Sequence, residues 1–201
     1  MPRRSAEAKA QTHAQILQHA SQVFRARGSG VGIGDVMKDL GLTAGGFYRH
    51  FESKDDLFVK AVSASLIEIA ERLEQVALKA PKGRELEAVI TAYLSPDHLR
   101  HPEAWCALAT LAPDVSRLPS AVRKQLDGAM QLYQGKLSKF MPGASDAERG
   151  QQFLILFSGM AGAIAMLRVL SDKAMREQAL SMTREYYLTT FAPGGSKKRL
   201  D

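Results

Sequence analysis

An all-α fold is predicted by three observations. Apolar residues recur with helical spacing along most of the 201-residue chain, no run alternates as a strand would, and Gly and Pro clusters separate the helical runs. No internal repeat is present, and about nine helices are expected. With 45% hydrophobic and 24% charged residues the chain can bury a sizeable core and has ordinary globular composition.

The first helix is expected from about Ala6 to Arg27, with Ile16, Leu17, Ala20, Val23 and Phe24 on one face and Gly28 and Gly30 as the stop. Ile33, Val36, Met37 and Leu40, spaced i, i+3, i+4, i+7, mark a short second helix that Gly41 ends, with Leu42 filling the turn. Thr43 is placed to cap a third helix, Ala44 to His50, by accepting a backbone N–H, and Phe47, Tyr48 and Phe51 give that helix an aromatic inner side. Of the three, Phe47 and Phe51 are the expected core residues and Tyr48 the one with a further role. Ser53 caps a long fourth helix, whose first turn carries Asp55 and Asp56 and whose apolar side runs until Pro81.

Further helices are expected over about Arg84 to Leu94 and Glu103 to Leu111, with a loop between Pro96 and Pro102. A long helix opens at Pro119 and ends before Pro142. The capping box Ser145-Asp146-Ala147-Glu148 starts another that reaches about Leu170, and a last one covers about Asp172 to Phe191. The tail from Ala192, with its glycines and Lys-Lys-Arg cluster, is expected to be mobile.

Two short helices joined at Gly41-Leu42 are the pattern of a helix-turn-helix, whose second helix must present small or polar residues to a major groove. Thr43, Ala44, Gly45, Gly46 and Arg49 meet that need. Residues 1–54 hold eight basic and four acidic side chains, so they carry +4 of the total +6. The basic excess lies where a polyanion would bind. Arg3, Arg4 and Lys9 form a candidate arm toward the same partner.

Residues 10–58 resemble the DNA-binding domain of the TetR family of bacterial regulators. The resemblance is carried by Ala20, Phe24 and Gly28, by Val36-Met37 with Leu40-Gly41-Leu42-Thr43, and above all by Gly46-Phe47-Tyr48-Arg49-His50-Phe51-Glu52-Ser53-Lys54-Asp55 followed by Leu57. It implies that Thr43, Tyr48, His50 and Lys54 lie on the phosphate side of a DNA site, and that Ala44, Gly45 and Arg49 stand where base edges are read. The sequence departs from the family at Gly32, near the start of the second helix, where Ser or Thr usually reaches a phosphate. The domains expected are a helix-turn-helix domain at 1–54, a ligand-binding and dimerisation domain at 55–192, and a tail at 193–201.

The second domain supplies two further expectations. Residues 153–170 are apolar around most of a helical circumference, and Gly159, Ala161, Gly162, Ala163 and Ala165 allow a close helix partner. Together with Ala179, Met182, Tyr186 and Tyr187 of the last helix they are the candidate homodimer surface, a four-helix bundle that the resemblance also implies. Trp105, Cys106, Met130, Tyr133, Phe153 and Phe157 are the candidate lining of a site for a small hydrophobic ligand. The lone Cys106 excludes an internal disulfide and fits a reducing compartment. It also supports an alternative, an electrophile- or redox-sensing repressor, since Trp105-Cys106-Ala107-Leu108 resembles a segment found in relatives of that kind.

No catalytic site is recognised: Gly-x-Ser-x-Gly, a phosphate-binding glycine loop and His-Glu-x-x-His are all missing from the sequence. His98 and His101 with Asp97 and Glu103 are too few and too close to prolines to make a metal site, and no cofactor is expected. The start of the chain has no apolar signal core, and 153–170 is interrupted by Ser158, two glycines and Arg168, so neither secretion nor a membrane span is expected and the cytoplasm is the expected location. The function expected is a ligand-responsive regulator, most simply a repressor that holds a palindromic operator as a dimer and leaves it on binding a small hydrophobic molecule. A helical ligand-binding protein that does not touch DNA is the weaker alternative.

Overall fold

Local capping chemistry sets most helix boundaries in the computed structural model, which describes residues 2–192, with side chains from residue 6. All regular structure among the described residues is helical. The helices are α1 (Pro2–Arg27), α2 (Ile33–Asp39), α3 (Ala44–Phe47), α4 (Lys54–Lys79), α5 (Glu85–Tyr93), α6 (Pro96–Arg100), α7 (Leu108–Ser116), α8 (Ser120–Arg123), α9 (Asp127–Ser138), α10 (Asp146–Val169) and α11 (Lys173–Phe191). A 3₁₀ turn, Lys124–Leu126, joins α8 to α9. If 120–138 is taken as one bent helix and the five-residue α6 set aside, nine helices remain among the described residues. The tail expected to be mobile lies outside the described residues from 193 on.

Two compact units form, one from Met1–Leu66 with Pro102–Ala129 and the other from Ile67–His101 with Met130–Asp201. The boundary expected near residue 54 marks the start of α4, which contributes to both.

In the first unit, α1 ends where Gly28 turns to φ +80° and donates its N–H to Phe24 at 2.8 Å. Ile16, Ala20, Phe24, Val36, Met37, Phe47, Phe51, Leu57 and Phe58 make the core, with the Phe24 and Phe58 rings edge to face at 5.1 Å. Arg25 is buried inside this apolar set. Its guanidinium donates to the Ser21 carbonyl at 3.1 Å, the Ser65 hydroxyl at 2.9 Å and the Trp105 carbonyl at 2.7 Å, and so joins α1 to α4 and to the stretch before α7. This is why the helix expected over Glu103 to Leu111 does not form as one piece. The Trp105 carbonyl accepts from side chains, and the segment splits into a 3₁₀ turn, Pro102–Ala104, and α7. The loop expected between Pro96 and Pro102 is also corrected. Pro96 takes the first position of α6, and Ser95 caps it by accepting the His98 N–H at 3.2 Å.

In the second unit an aromatic cluster fills the centre. Tyr93 meets Phe157 edge to face at 5.5 Å, Tyr133 meets Phe153 at 5.3 Å, and Phe153 lies 4.6 Å from Phe157. Glu74 of α4 accepts from Lys136 and Lys139 at 2.6 Å each, which fastens α9 to α4. Ser145 caps α10 as expected, accepting the Glu148 N–H at 3.2 Å, while the Glu148 carboxylate takes the N–H of Ala144. α10 buries Phe153, Leu156, Phe157, Met160, Ile164 and Leu167 on one side. By length and composition alone α10 is also long and apolar enough to cross a membrane.

His98 is fully buried in this unit, its Nδ1 paired with the Tyr93 carbonyl at 2.8 Å and its ring edge-on to Tyr93. Burial pushes its pKa down to about 3, against the smaller raising effect of the Tyr93 carbonyl. The sign for stability follows. Above the unfolded value of 6.5 the ring is neutral in both states; below it the unfolded chain takes a proton that the folded chain refuses. Folding stability should therefore fall between pH 6.5 and about 3, by up to ~1.4 kcal/mol per pH unit from this group. Urea unfolding from pH 8 to 4.5 should show the loss, and His98→Gln should flatten it; an equal slope in the variant would assign the loss elsewhere.

A second expectation concerns Arg25. Arg25→Met keeps the length and apolar stem but leaves the Trp105 carbonyl and Ser65 without their charged donor. Chemical denaturation should report a loss on the order of 2–4 kcal/mol. A change below ~0.5 kcal/mol would show that solvent or the methionine compensates.

Candidate nucleic-acid interface

The turn between α2 and α3 is built by hydrogen bonds that only a left-handed residue permits. Gly41, at φ +69°, donates to the Lys38 carbonyl at 2.9 Å, and Leu42 donates to Met37 at 2.9 Å. This double bond pattern, with its obligatory glycine, ends α2 sharply and turns the chain into α3. Gly32 is the N-cap of α2 and has no side chain to offer there, as the sequence indicated.

Thr43 takes the N-cap position of α3 with extended backbone angles but makes no side-chain cap bond, contrary to expectation. The α3 start is closed instead by the Gly46 N–H on the Thr43 carbonyl at 2.9 Å, so the Thr43 hydroxyl stays on the exposed face. α3 is also shorter than expected. It stops at Phe47, and residues 48–50 continue as turns because the His50 and Phe51 N–H groups both converge on the Phe47 carbonyl, at 2.9 and 3.1 Å.

Aromatic packing sorts the inner from the outer side of this segment. Phe47 and Phe51 are buried and stacked at 5.6 Å, and Phe51 stacks in turn on His13 of α1 at 4.5 Å. Tyr48, expected on the inner side with them, is instead 69% exposed, because one residue along a helical turn rotates it away from α1. Thr43, Ala44, Gly45, Tyr48 and Arg49 all lie on the surface. Ala44 with Tyr48 and Gly45 with Arg49 stand four residues apart, on one face, and a Cβ added at Gly45 would meet nothing within 4 Å. The result is a smooth, small-residue surface with a phenol and a guanidinium at its end.

Two further groups flank it. Lys54 is the first residue of α4, half-buried, beside a cleft of about 260 Å³ that it shares with Ser29, Asp55, Phe58, Asp114 and Arg117. Ser53 accepts the Asp56 N–H at 3.0 Å and Asp56 accepts the Glu52 N–H at 3.1 Å, a reciprocal cap that holds Lys54 at the helix start. His50 is half-buried and lines a hollow together with Lys9 and Arg49. Its pKa is lowered, first by burial and then by the positive neighbours His13, Lys9 and Arg49. Lys9 stands in this hollow, whereas the side chains of Arg3 and Arg4 lie outside the described residues. His13 was missed in the sequence. Its signal was the spacing of four from Lys9, which puts both on one face of α1.

A family model described as "Bacterial regulatory proteins, tetR family" matches residues 16–61. Residues 16–61 therefore match the family's DNA-binding region, about a quarter of the chain. The matched stretch contains α2, the Gly41 turn and α3, the helix-turn-helix of this chain. Solved TetR-type structures share the fold. A TetR-family regulator from Cytophaga hutchinsonii is 17% identical, with 96% of this chain and 98% of that chain covered at a TM-score of 0.70. One from Chloroflexus aurantiacus is 24% identical, covering 92% and 97%, at 0.68. The reduced form of Escherichia coli NemR is 21% identical, covering 87% and 96%, at 0.65. No curated protein matches this chain.

The candidate ligand residues divide between the two units. Trp105 and Cys106 are buried in the first. Tyr133, Phe153 and Phe157 are buried in the second and packed on one another, with half-buried Met130 in the same unit. Cys106 is a free thiol at 1% exposure, which is not the accessible setting of a reactive cysteine. No cluster of three metal-ligating side chains exists among the described residues. His101 and Asp97 are 3.9 Å apart at the surface, whereas His98 is turned inward.

Replacing Lys54 and Arg49 tests whether each meets the phosphate backbone or a base edge. Lys54→Ala should weaken binding to every duplex and reduce the salt slope by about one per protomer. Arg49→Ala should do the same, since Arg49 shares its hollow with Lys9 and His50. Anisotropy titrations over 50–200 mM salt with point-substituted duplexes check both. A loss of ~1–3 kcal/mol confined to one operator position would instead make Arg49 a base reader.

Proposed function

We propose that this regulator is a homodimeric repressor that holds a palindromic operator through two copies of α3 and is released by a small apolar molecule. One observation carries the proposal: the exposed Thr43-Ala44-Gly45-Tyr48-Arg49 face, set on a rigid glycine turn and bordered by His50 and Lys54. Thr43, Tyr48, His50 and Lys54 contact phosphates. Ala44 and Gly45 let the helix approach the floor of a major groove about 12 Å wide. With so few side-chain donors, base recognition falls to methyl contacts and DNA shape.

Dimerisation is supported by the outer side of α10 and α11. Leu154, Ile155, Ser158, Gly162, Ala165, Met166 and Val169 form one exposed stripe on α10, with Met166 at 69% and Val169 at 77%. Met175, Met182 and Tyr186 stand exposed on α11. A stripe of this kind on a single protomer marks an association surface, and a two-fold pair places two recognition helices on half-sites ~34–36 Å apart. The apolar effector reading rests on the cluster of Tyr93, Tyr133, Phe153 and Phe157, the residue types that line small-molecule sites. The burial of Cys106 favours reversible occupation over covalent modification as the release step.

Gly162 makes the dimer testable without damage to the protomer. A Cβ added there meets nothing within 4 Å, whereas one added at Gly159 would fall on the Tyr187 hydroxyl of the same chain. Gly162→Leu should therefore fold with an unchanged helical spectrum and run as a monomer in sedimentation. It should also lose operator affinity by a factor on the order of 100 or more, as the two half-sites are no longer linked. A folded dimer with normal affinity would remove Gly162 from the interface. Capture of genomic duplex fragments by the wild-type protein tests the DNA reading itself.

A further inference from the structure

Around His50 positive groups converge without a counter-charge. Two adjoining hollows of about 440 and 430 Å³ lie between the first turns of α1 and the turn after α3. Lys9, Arg49 and His50 line both, His13 lines one, and none of the lining residues is acidic. The His13 ring is held against Phe51 at 4.5 Å, with its centroid 6.1 Å from that of His50. On α4, Lys60 lies over the Phe51 ring at 5.6 Å and is paired with Asp56. The His50 Nδ1 atom is buried and has no hydrogen-bond partner. The groups that face His50 are thus Lys9 and His13 from α1 and Arg49 from its own turn, all basic.

We propose that Lys9, His13, Arg49 and His50 form an anion seat that takes one phosphodiester of the operator backbone, and that this phosphate enters together with a proton on the His50 imidazole. The proposal rests on the DNA-binding reading above and adds α1 residues and a proton to it.

The physical argument is linkage. In the free protein the burial of the ring and the positive neighbours His13, Lys9 and Arg49 disfavour a proton on His50, in line with its lowered pKa. A phosphate in the seat neutralises those charges and makes the imidazolium favourable. A group whose pKa rises on binding takes up a proton, so affinity rises as pH falls. His13, stacked edge-out on Phe51, supplies a second imidazole on the rim, and Lys9 the permanent charge. A DNA phosphodiester fits better than a free anion because the seat adjoins Tyr48 and the exposed α3 face, along which a backbone must run.

The test is anisotropy with the full-length protein and a labelled duplex that it captures, from pH 8.0 to 5.5 at constant ionic strength. As pH falls the affinity should rise, by at most about tenfold per pH unit for each protomer. His50→Gln should abolish that rise whatever its affinity at pH 8, and Lys9→Ala should lower the salt slope by about one per protomer. Thermal melts confirm that each variant is folded. A wild-type affinity that does not change with pH overturns the proposal, as does an undiminished rise in His50→Gln. A parallel titration with inorganic phosphate, read by NMR of the histidine ring signals, separates the sources. If no duplex binds at any pH, the DNA reading fails; shifts of His13 and His50 with phosphate alone would then uphold the seat for a free anion, and unmoved signals would overturn it.

Discussion

The Arg25 guanidinium, buried in an apolar core at 2% exposure, is where three separate pieces of the first unit meet. Taking a charge out of water is expensive unless every donor finds a partner. Here the partners are the Ser21 carbonyl on α1 itself, Ser65 on α4 and the Trp105 carbonyl ahead of α7. Because these bonds have narrow geometry, α1, α4 and the 102–107 stretch cannot slide independently. Phe24, one residue before Arg25, packs on Phe58 of α4, and the Ser29 hydroxyl donates to Asp114 of α7 at 2.7 Å. The helix-turn-helix thus stands on a base whose alignment is polar and specific, while its bulk is held by ordinary apolar burial.

That dependence explains which parts of the structure were legible in the sequence. The ends of α1 and α2, and the starts of α4, α10 and α11, were legible because each is decided by one to four neighbouring residues. Gly28 and Gly41 supply positive φ, and Ser53, Ser145 and Asp172 supply caps. The core faces of α1 and α2 were legible for the same reason. Trp105 was not, because the donor that draws its carbonyl away lies 80 residues earlier. Thr43 was misjudged as a cap because its N-cap backbone geometry is right while the side-chain bond is not made, a choice that a sequence pattern does not encode.

The candidate site shows the same division. Tyr48, Arg49 and Lys54 were visible as a motif, and the structure places Tyr48 and Arg49 on an exposed face. Lys9 and His13 joined His50 only when α1 was laid against the turn after α3, since 37 residues separate His13 from His50 in the chain. Gly159 and Gly162 looked equivalent as small residues on one helix. Only packing tells them apart: Tyr187 fills the space before Gly159, and the space before Gly162 is open.

The chemistry of the α3 face constrains how such a protein works. Ala44 and Gly45 have no side-chain hydrogen-bonding groups, so in the proposed reading they add only shape and methyl contact to a half-site. In that reading most of the affinity comes from phosphates, through Tyr48, Lys54 and the basic groups around His50, and such contacts are worth much only when several are made together. A geometry that seats two such faces on one duplex multiplies their effect, and one that misplaces either removes it. On the proposed reading such a regulator is switched by small displacements rather than by the loss of a particular base contact. α4 begins at Lys54 in the first unit and carries Ile69, Leu73 and Ala77 in the core of the second.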